Sequence, residues 1–319
     1  QWILIGLAGM AIAFFIDYRF LCRHAYIIYG VSIVLLLVVF TAGYATRGSQ
    51  RWIAVNGFTF QPSELVKLTI ILALTKYFDH HQIGRSYHLT ELFIPIAIVI
   101  IPFLFVLKQP DLGTALVILT LFLSIVFFVG LDWRSLLVAG AGGLILSPVG
   151  WYFLKDYQKE RILTFFGPER DPLGSGYHII QSMIAVGSGG VFGKGFLKGS
   201  QTQLKFLPEQ QTDFVFSVFA EEWGFLGGMI LIAMFFSLIL WGLKIMIHSK
   251  DYPGALIAFG ITMLIFLEVF INIGMVLGIL PVVGIPLPFL SYGGSSMVVL
   301  MTAVGLLMNI SVRRFILQS

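Results

Sequence analysis

Charge is what this sequence has least of. Asp, Glu, Lys and Arg together make up 11% of the 319 residues, where an ordinary soluble domain carries about 25%. With 58% hydrophobic residues and a mean hydropathy of +0.93, the chain cannot cover a soluble surface. It reads as an integral membrane protein. Cysteine is nearly missing: the lone Cys22 excludes an internal disulfide. No long apolar run shows the residue-by-residue alternation of a membrane barrel, so the spans read as helices. Soluble domains, low-complexity tracts and clear internal repeats are absent too. Polar stretches are scarce, and only one long segment, 155–212, is too polar to sit in a bilayer.

The isoelectric point near 9.1 could point to nucleic acid. The basic residues, however, sit in loops between apolar spans and form no single solvated face. Membrane lipids of negative charge are the expected partners, and nucleic acid is not.

A helical span needs roughly 20 apolar residues. Runs at about 1–16, 25–44, 62–78, 91–107, 112–130, 135–154, 214–247, 254–280 and 296–311 qualify, which makes nine. The run 214–247 is long enough to project beyond the bilayer. One set of loop ends carries Arg19, Arg23, Lys76, Arg85, Arg134, Lys244, Lys250, Arg313 and Arg314, and the other only Arg47, Arg51 and Lys108. The positive-inside rule puts the first set in the cytoplasm. The segment 155–212 then faces outside. Its Lys155, Lys159, Arg161, Arg170, Lys194, Lys198 and Lys205 are explained either by lipid headgroups or by an anionic substrate.

Several motifs stand out. Phe60-Gln61-Pro62-Ser63-Glu64 leads to Lys67, and Pro62 suits a first helical turn. Glu64 and Lys67, three apart, share a helix face inside an apolar span. Ionisable groups there are paired or functional, so they form a structural pair or line a substrate cavity. Trp52, just before, reads as an interfacial anchor. In Gln109-Pro110-Asp111-Leu112-Gly113-Thr114, Asp111 is placed to cap a helix, which alone accounts for it. A second acidic group near the site is the other reading.

Within 155–212, residues 178–186 have a helical apolar pattern that suits an interfacial helix. Gly187-Ser188-Gly189-Gly190-Val191-Phe192-Gly193-Lys194-Gly195 follows. Its amides could cradle phosphate oxygens. It is not a Walker loop, because Ser188 and Gly195 stand at positions that motif reserves for Gly and for Ser or Thr. Asp213 is expected in the first turn of the next helix, where the helix dipole favours a carboxylate. Glu221 lies about two turns deeper on a similar face. Three prolines between Leu280 and Ser296 forbid a continuous helix there. Irregular backbone at that depth must be buried in protein or line a cavity. Packing is the expected role of Glu268 and Asn272.

Taken together, these stretches resemble the SEDS family of bacterial cell-wall polymerases. Asn272 through Ser296 looks like its signature, and the motifs at Phe60, Gln109 and Asp171-Pro172-Leu173-Gly174-Ser175-Gly176-Tyr177 look like further blocks. Gly193-Lys194-Gly195 and Gly199-Ser200-Gln201 look more like its elongation branch than its division branch. The resemblance implies an all-α polytopic fold of ten helices with a large extracytoplasmic loop. Nine helices are visible here, and a trimmed start is expected to account for the tenth. It implies a peptidoglycan glycosyltransferase that polymerises lipid II, in the bacterial cytoplasmic membrane, with a class B penicillin-binding protein as partner. Asp213 matches the essential carboxylate, Glu64 and Lys67 the paired charges, and Trp52 the extracytoplasmic tryptophan.

On this reading Asp213 is the catalytic base. Trp52, Glu64, Lys67, Arg161, Arg170, Lys194, Lys198 and Lys205 bind substrate, with Asp111 and Glu221 as secondary candidates. A divalent cation, Mg or Mn, is the one cofactor the chemistry would admit. A lipid II flippase is the rival: ionisable groups in a span and a broken helix also suit a transporter. The long basic outer loop suits an enzyme better. A scaffold that only recruits cell-wall enzymes is the third reading.

Overall fold

A computed structural model of the chain describes residues 1–46, 49–55, 58–81, 86–153, 156–167, 175–199 and 211–313. Helices stand at all nine expected spans: α1 (Trp2–Phe15), α3 (Ala25–Ala42), α4 (Pro62–His80), α5 (Phe93–Lys108), α6 (Leu112–Val129), α7 (Trp133–Phe153), α10 (Val215–Ile247), α11 (Tyr252–Val276) and α12 (Gly294–Arg313). Short α2 (Tyr18–Arg23) follows α1, and α8 (Asp156–Phe166) and α9 (Ser175–Ser188) lie in the long polar segment. Five stretches, those of α5, α6, α10, α11 and α12, are long and apolar enough to cross a membrane by themselves. Helix α4 carries too many charges for that and is instead buried along most of its length. The protein is integral to the membrane.

Two features differ from the sequence reading. The stretch before α4 is not plain loop but a small antiparallel sheet, β1 (Tyr44–Thr46), β2 (Ser49–Val55) and β3 (Phe58–Phe60), in that order. Alternating β-branched and aromatic residues in Trp52–Phe60 favour strands, but the run is too short to distinguish from a loop by pattern. The span expected to reach 280 stops at Val276. Gly278 takes φ +72° and Ile279 N–H turns back to the Gly274 carbonyl at 2.8 Å, the kind of glycine-assisted stop that ends many helices.

The chain divides into two compact units. The first comprises 1–143, 239–265 and 294–319. In it α1 lies along α12, at a distance set by small residues. A Cβ on Gly305 would meet the Met10 backbone at 2.3 Å, the close approach that membrane helices use when no hydrophobic effect drives them together. Helix α3 packs on α4, joined by Ser32 Oγ and Thr69 Oγ1 at 2.8 Å. One end of the unit is tied by ion pairs, Arg19 with Asp251 at 2.9 Å and Arg313 with Asp17 at 3.0 Å. Asp251 also accepts from the Tyr18 hydroxyl at 2.8 Å. Burial and that carboxylate push the Tyr18 phenol up to about 12.

The second unit comprises 144–238 and 266–293. It holds α8, α9, the first part of α10 and the irregular segment that follows α11. Ser182 of α9 donates to the Val276 carbonyl at 2.9 Å, tying the long polar segment to the end of α11.

Candidate active site

Two polar clusters form, one in each unit. In the first, Pro62 at the helix start places Glu64 and Lys67 on one face of α4. The Lys67 ammonium donates to both Glu64 oxygens at 2.9 Å, and both side chains are almost fully buried. Charges so deep require partners, and this pairing is the one the spacing of three anticipates. Beside it, the Gln61 N–H donates to Ser295 Oγ at 2.9 Å, and Gln61 Nε2 to Asp111 Oδ2 at 3.1 Å. Asp111 does cap α6, accepting from the Thr114 N–H at 3.2 Å. It also faces the Arg51 guanidinium at 3.7 Å, while Arg51 Nε donates to the Gln109 carbonyl at 2.9 Å. Trp52, half-buried, sits opposite Tyr44 in the sheet. Three motifs far apart in sequence thus converge through Gln61, Asp111 and Ser295.

In the second cluster, Asp213 lies in the turn 211–214, two residues ahead of the first helical residue Val215. It is therefore before the helix and not in its first turn. The reason is visible in its neighbours. Three successive carbonyls of this turn are taken by the irregular segment and the end of α11. The Tyr292 N–H donates to the Gln211 carbonyl at 2.6 Å, and the Ser291 hydroxyl to that of Thr212 at 2.5 Å. Asn272 Nδ2 donates to that of Asp213 at 2.9 Å and, with its other hydrogen, to the Ile285 carbonyl at 2.7 Å. Gly284, at φ +73°, is so close that a Cβ there would come within 3.2 Å of Asp213 Oδ2. These bonds tie the carbonyls of 211, 212 and 213 to the irregular segment and the end of α11, and so hold the turn as a turn. Asn272 was expected to pack; it also positions Asp213. Its place at the start of the family signature was the one available signal.

Glu221, eight residues on, is fully buried and pairs with Lys194 at 2.7 Å. Lys194 Nζ also donates to Ser188 Oγ at 2.7 Å. Backbone contacts run alongside. Helix α10 breaks at Gly224, φ +67°, so Glu221 and Glu222 lose the helical donors to their carbonyls. Lys194 and Gly195 N–H groups replace them, both at 3.0 Å. Phe225 and Leu226 donate in turn to the carbonyls of Gly190 and Val191 at 2.8 and 3.1 Å. Glycine is required on both sides: a Cβ on Gly193 would lie 2.1 Å from the Glu222 oxygen, and one on Gly224 2.2 Å from the Gly193 nitrogen. The glycine-rich run thus clasps a helix, a use that spacing alone did not reveal.

Of the remaining expected substrate contacts, Arg161 lies on α8 and Lys198 is exposed. Arg170 and Lys205 fall outside the described residues.

The profile of the FtsW/RodA/SpoVE family, described as cell cycle protein, matches residues 1–315. The Escherichia coli K12 peptidoglycan glycosyltransferase MrdB is 43% identical over 317 residues, which are 99% of this chain and 85% of that protein. MrdB of Helicobacter pylori is 40% identical, covering 98% and 82%. The probable peptidoglycan glycosyltransferase FtsW of Geobacter metallireducens is 39% identical, covering 97% and 83%. Among solved structures, a chain of a peptidoglycan synthase complex that coordinates polymerization and crosslinking aligns with TM-score 0.84 at 33% identity, covering 98% of this chain and 88% of that one. The Thermus thermophilus rod shape determining protein RodA aligns with TM-score 0.71 at 30% identity, covering 98% and 86%. The chain belongs to the FtsW/RodA/SpoVE family, as its match over nearly the whole length shows.

Proposed function

We propose that this chain is a peptidoglycan glycosyltransferase that polymerises lipid II into glycan strands during cell elongation. Its MrdB relatives are peptidoglycan glycosyltransferases, which supports it. The observation that carries it is the Asp213 turn, whose carbonyls at 211, 212 and 213 are all bound. Such preorganisation suits a carboxylate that must meet a reacting atom in one geometry.

In the proposed reaction the Asp213 carboxylate takes the proton of the acceptor GlcNAc hydroxyl. That oxygen bonds to the anomeric carbon of the growing chain's terminal sugar. The bond from this carbon to undecaprenyl pyrophosphate breaks, and its electron pair leaves with the pyrophosphate. One base and no covalent intermediate give inversion, by analogy with glycosidases. Arg161, Arg170, Lys198 and Lys205 are proposed to meet the leaving group's charge. Lys194 is proposed with them, although its ammonium also holds Glu221. Trp52, Glu64 and Lys67 are proposed as substrate contacts on the family pattern. Asp111 and Glu221 are secondary candidates for acid–base work.

Among the described residues no three His, Cys, Asp or Glu side chains gather to hold a metal. A divalent cation, Mg or Mn, would fit by arriving with the pyrophosphate, as Mg commonly does. The long segment 155–212 is proposed to face outside the cytoplasmic membrane, where charge bias puts it. A class B penicillin-binding protein is the proposed partner, supported by the similar chain's place in a polymerization and crosslinking complex.

The test is purified protein in liposomes given labelled lipid II. Glycan polymer is the expected product. Leaflet exchange without polymer would make the chain a flippase, and neither result would leave a scaffold.

A further inference from the structure

The run from Gly189 to Lys198 presents an apolar surface that none of the described residues covers. Phe192 is 81% exposed, Phe196 69% and Leu197 64%. Water is a poor neighbour for three such side chains in ten residues. The clasp fixes where they stand: Gly190, Val191, Lys194 and Gly195 are hydrogen-bonded to α10 on either side of Gly224.

That break has a definable depth. From Phe225 to Leu243 helix α10 is a 19-residue run without a charge, and Lys244 ends it. At 1.5 Å per residue this is roughly 28 Å, close to the thickness of the hydrocarbon core. Gly224 then marks one edge of the core and Lys244 the other. Trp223, half-exposed at that edge, is the residue type favoured at the membrane interface. The neighbouring Phe225, Leu226 and Met229 are exposed as well, so the loop's apolar side chains continue the lipid-facing surface of the span.

Irregular backbone at this level needs its polar groups satisfied. Most of the loop's amides meet this need: those of Gly189, Gly190, Gly193, Lys194, Gly195 and Lys198 donate to carbonyls. The Lys194 charge is met by Glu221. Lys198 remains exposed, able to reach headgroup phosphates while its stem lies along the apolar edge.

We propose that the 189–198 loop is a membrane-interface anchor, with Phe192, Phe196 and Leu197 among the outermost acyl carbons and Lys198 at the headgroups. It is clasped to α10 at Glu221, Glu222, Phe225 and Leu226, on the helix that begins two residues after Asp213. The anchor does not depend on the reaction assigned to Asp213, and Lys198 at headgroup level stands where a lipid-borne pyrophosphate would also lie.

The lone cysteine makes a direct test possible. Cys22 is buried, and Cys22→Ala gives a cysteine-free background. Single cysteines replace Phe192, Phe196, Leu197 or Lys198, with Met229 as lipid reference and Gln211 as polar reference. Each is spin-labelled in nanodiscs of neutral and anionic lipid, and collision with oxygen is compared with collision with a water-soluble nickel complex. Labels at 192, 196 and 197 should resemble the Met229 label, favouring oxygen several-fold more than the Gln211 label. The label at 198 should fall between. Labels at 192, 196 and 197 that favour nickel like the polar reference would overturn the anchor. Protection from both reagents would also overturn it, in favour of a protein partner or second copy on this surface. Thermal melts of each labelled protein confirm the fold, and polymerisation need not be measured for either outcome.

Discussion

Asn272 holds the main chain of Asp213: its Nδ2 donates to the Asp213 carbonyl at 2.9 Å and to that of Ile285 at 2.7 Å. A single buried amide thus joins the end of α11, the irregular segment and the turn that carries the carboxylate. Both hydrogens are used, so no side chain that cannot donate twice can replace it.

Asp213→Asn should therefore fold, since Asn preserves the shape of the turn. It should bind lipid II and polymerise about 10² to 10⁴ times more slowly, the usual loss of a general base. Single-turnover assays with labelled lipid II provide the check. Near-normal polymer from a folded variant would move the role to Asp111 or Glu221.

Asn272→Asp keeps the volume and removes both donors. It leaves the carbonyls of Asp213 and Ile285 facing a carboxylate, at a cost of about 1–3 kcal/mol for a buried group left unsatisfied. The expected result is a lowered melting temperature together with a fall in turnover larger than the change in lipid II affinity. Unchanged turnover in a folded variant would show that Asp213 needs no such support.

Glu64 and Lys67 should behave as one unit. Breaking a buried pair from one side costs about 3–5 kcal/mol, because it strands a charge. Lys67→Met and Glu64→Gln should each destabilise more than the double variant does. Additive losses in thermal melts of the four proteins would count against the pair.

Gly193→Ala should open the clasp. Its φ of +79° costs an L-residue roughly 1–2 kcal/mol, and the added Cβ would sit 2.1 Å from the Glu222 oxygen. Hydrogen exchange at Phe225 and Leu226 should accelerate, while Gly187→Ala, with nothing within 4 Å, should leave it unchanged. Equal exchange in the two variants would mean that the loop does not hold the helix break.

Neutralising Arg161, Arg170, Lys198 and Lys205 together should weaken lipid II binding and leave expression intact. The comparison is with undecaprenol, which lacks the pyrophosphate. Equal losses for both would rule out charge recognition by this segment.

The sequence by itself determined the membrane class, all nine long helices and the Glu64–Lys67 pair. Those follow from local quantities: length of apolar run, helical spacing, and the intolerance of hydrocarbon for unpaired charge. It also marked Asp213, through the family pattern. Only tertiary structure decided how that carboxylate is held. Asn272 stands 59 residues from Asp213, and Ser291 stands 79 from Thr212. Both look like packing residues until the carbonyls they bind are seen. The same holds for Gly193 and Gly224. A glycine in sequence announces freedom, but which backbone approaches it is set by contacts between segments. Such hydrogen-bond exchange leaves no periodic trace in the chain, because each partner is specified by where the other segment folds.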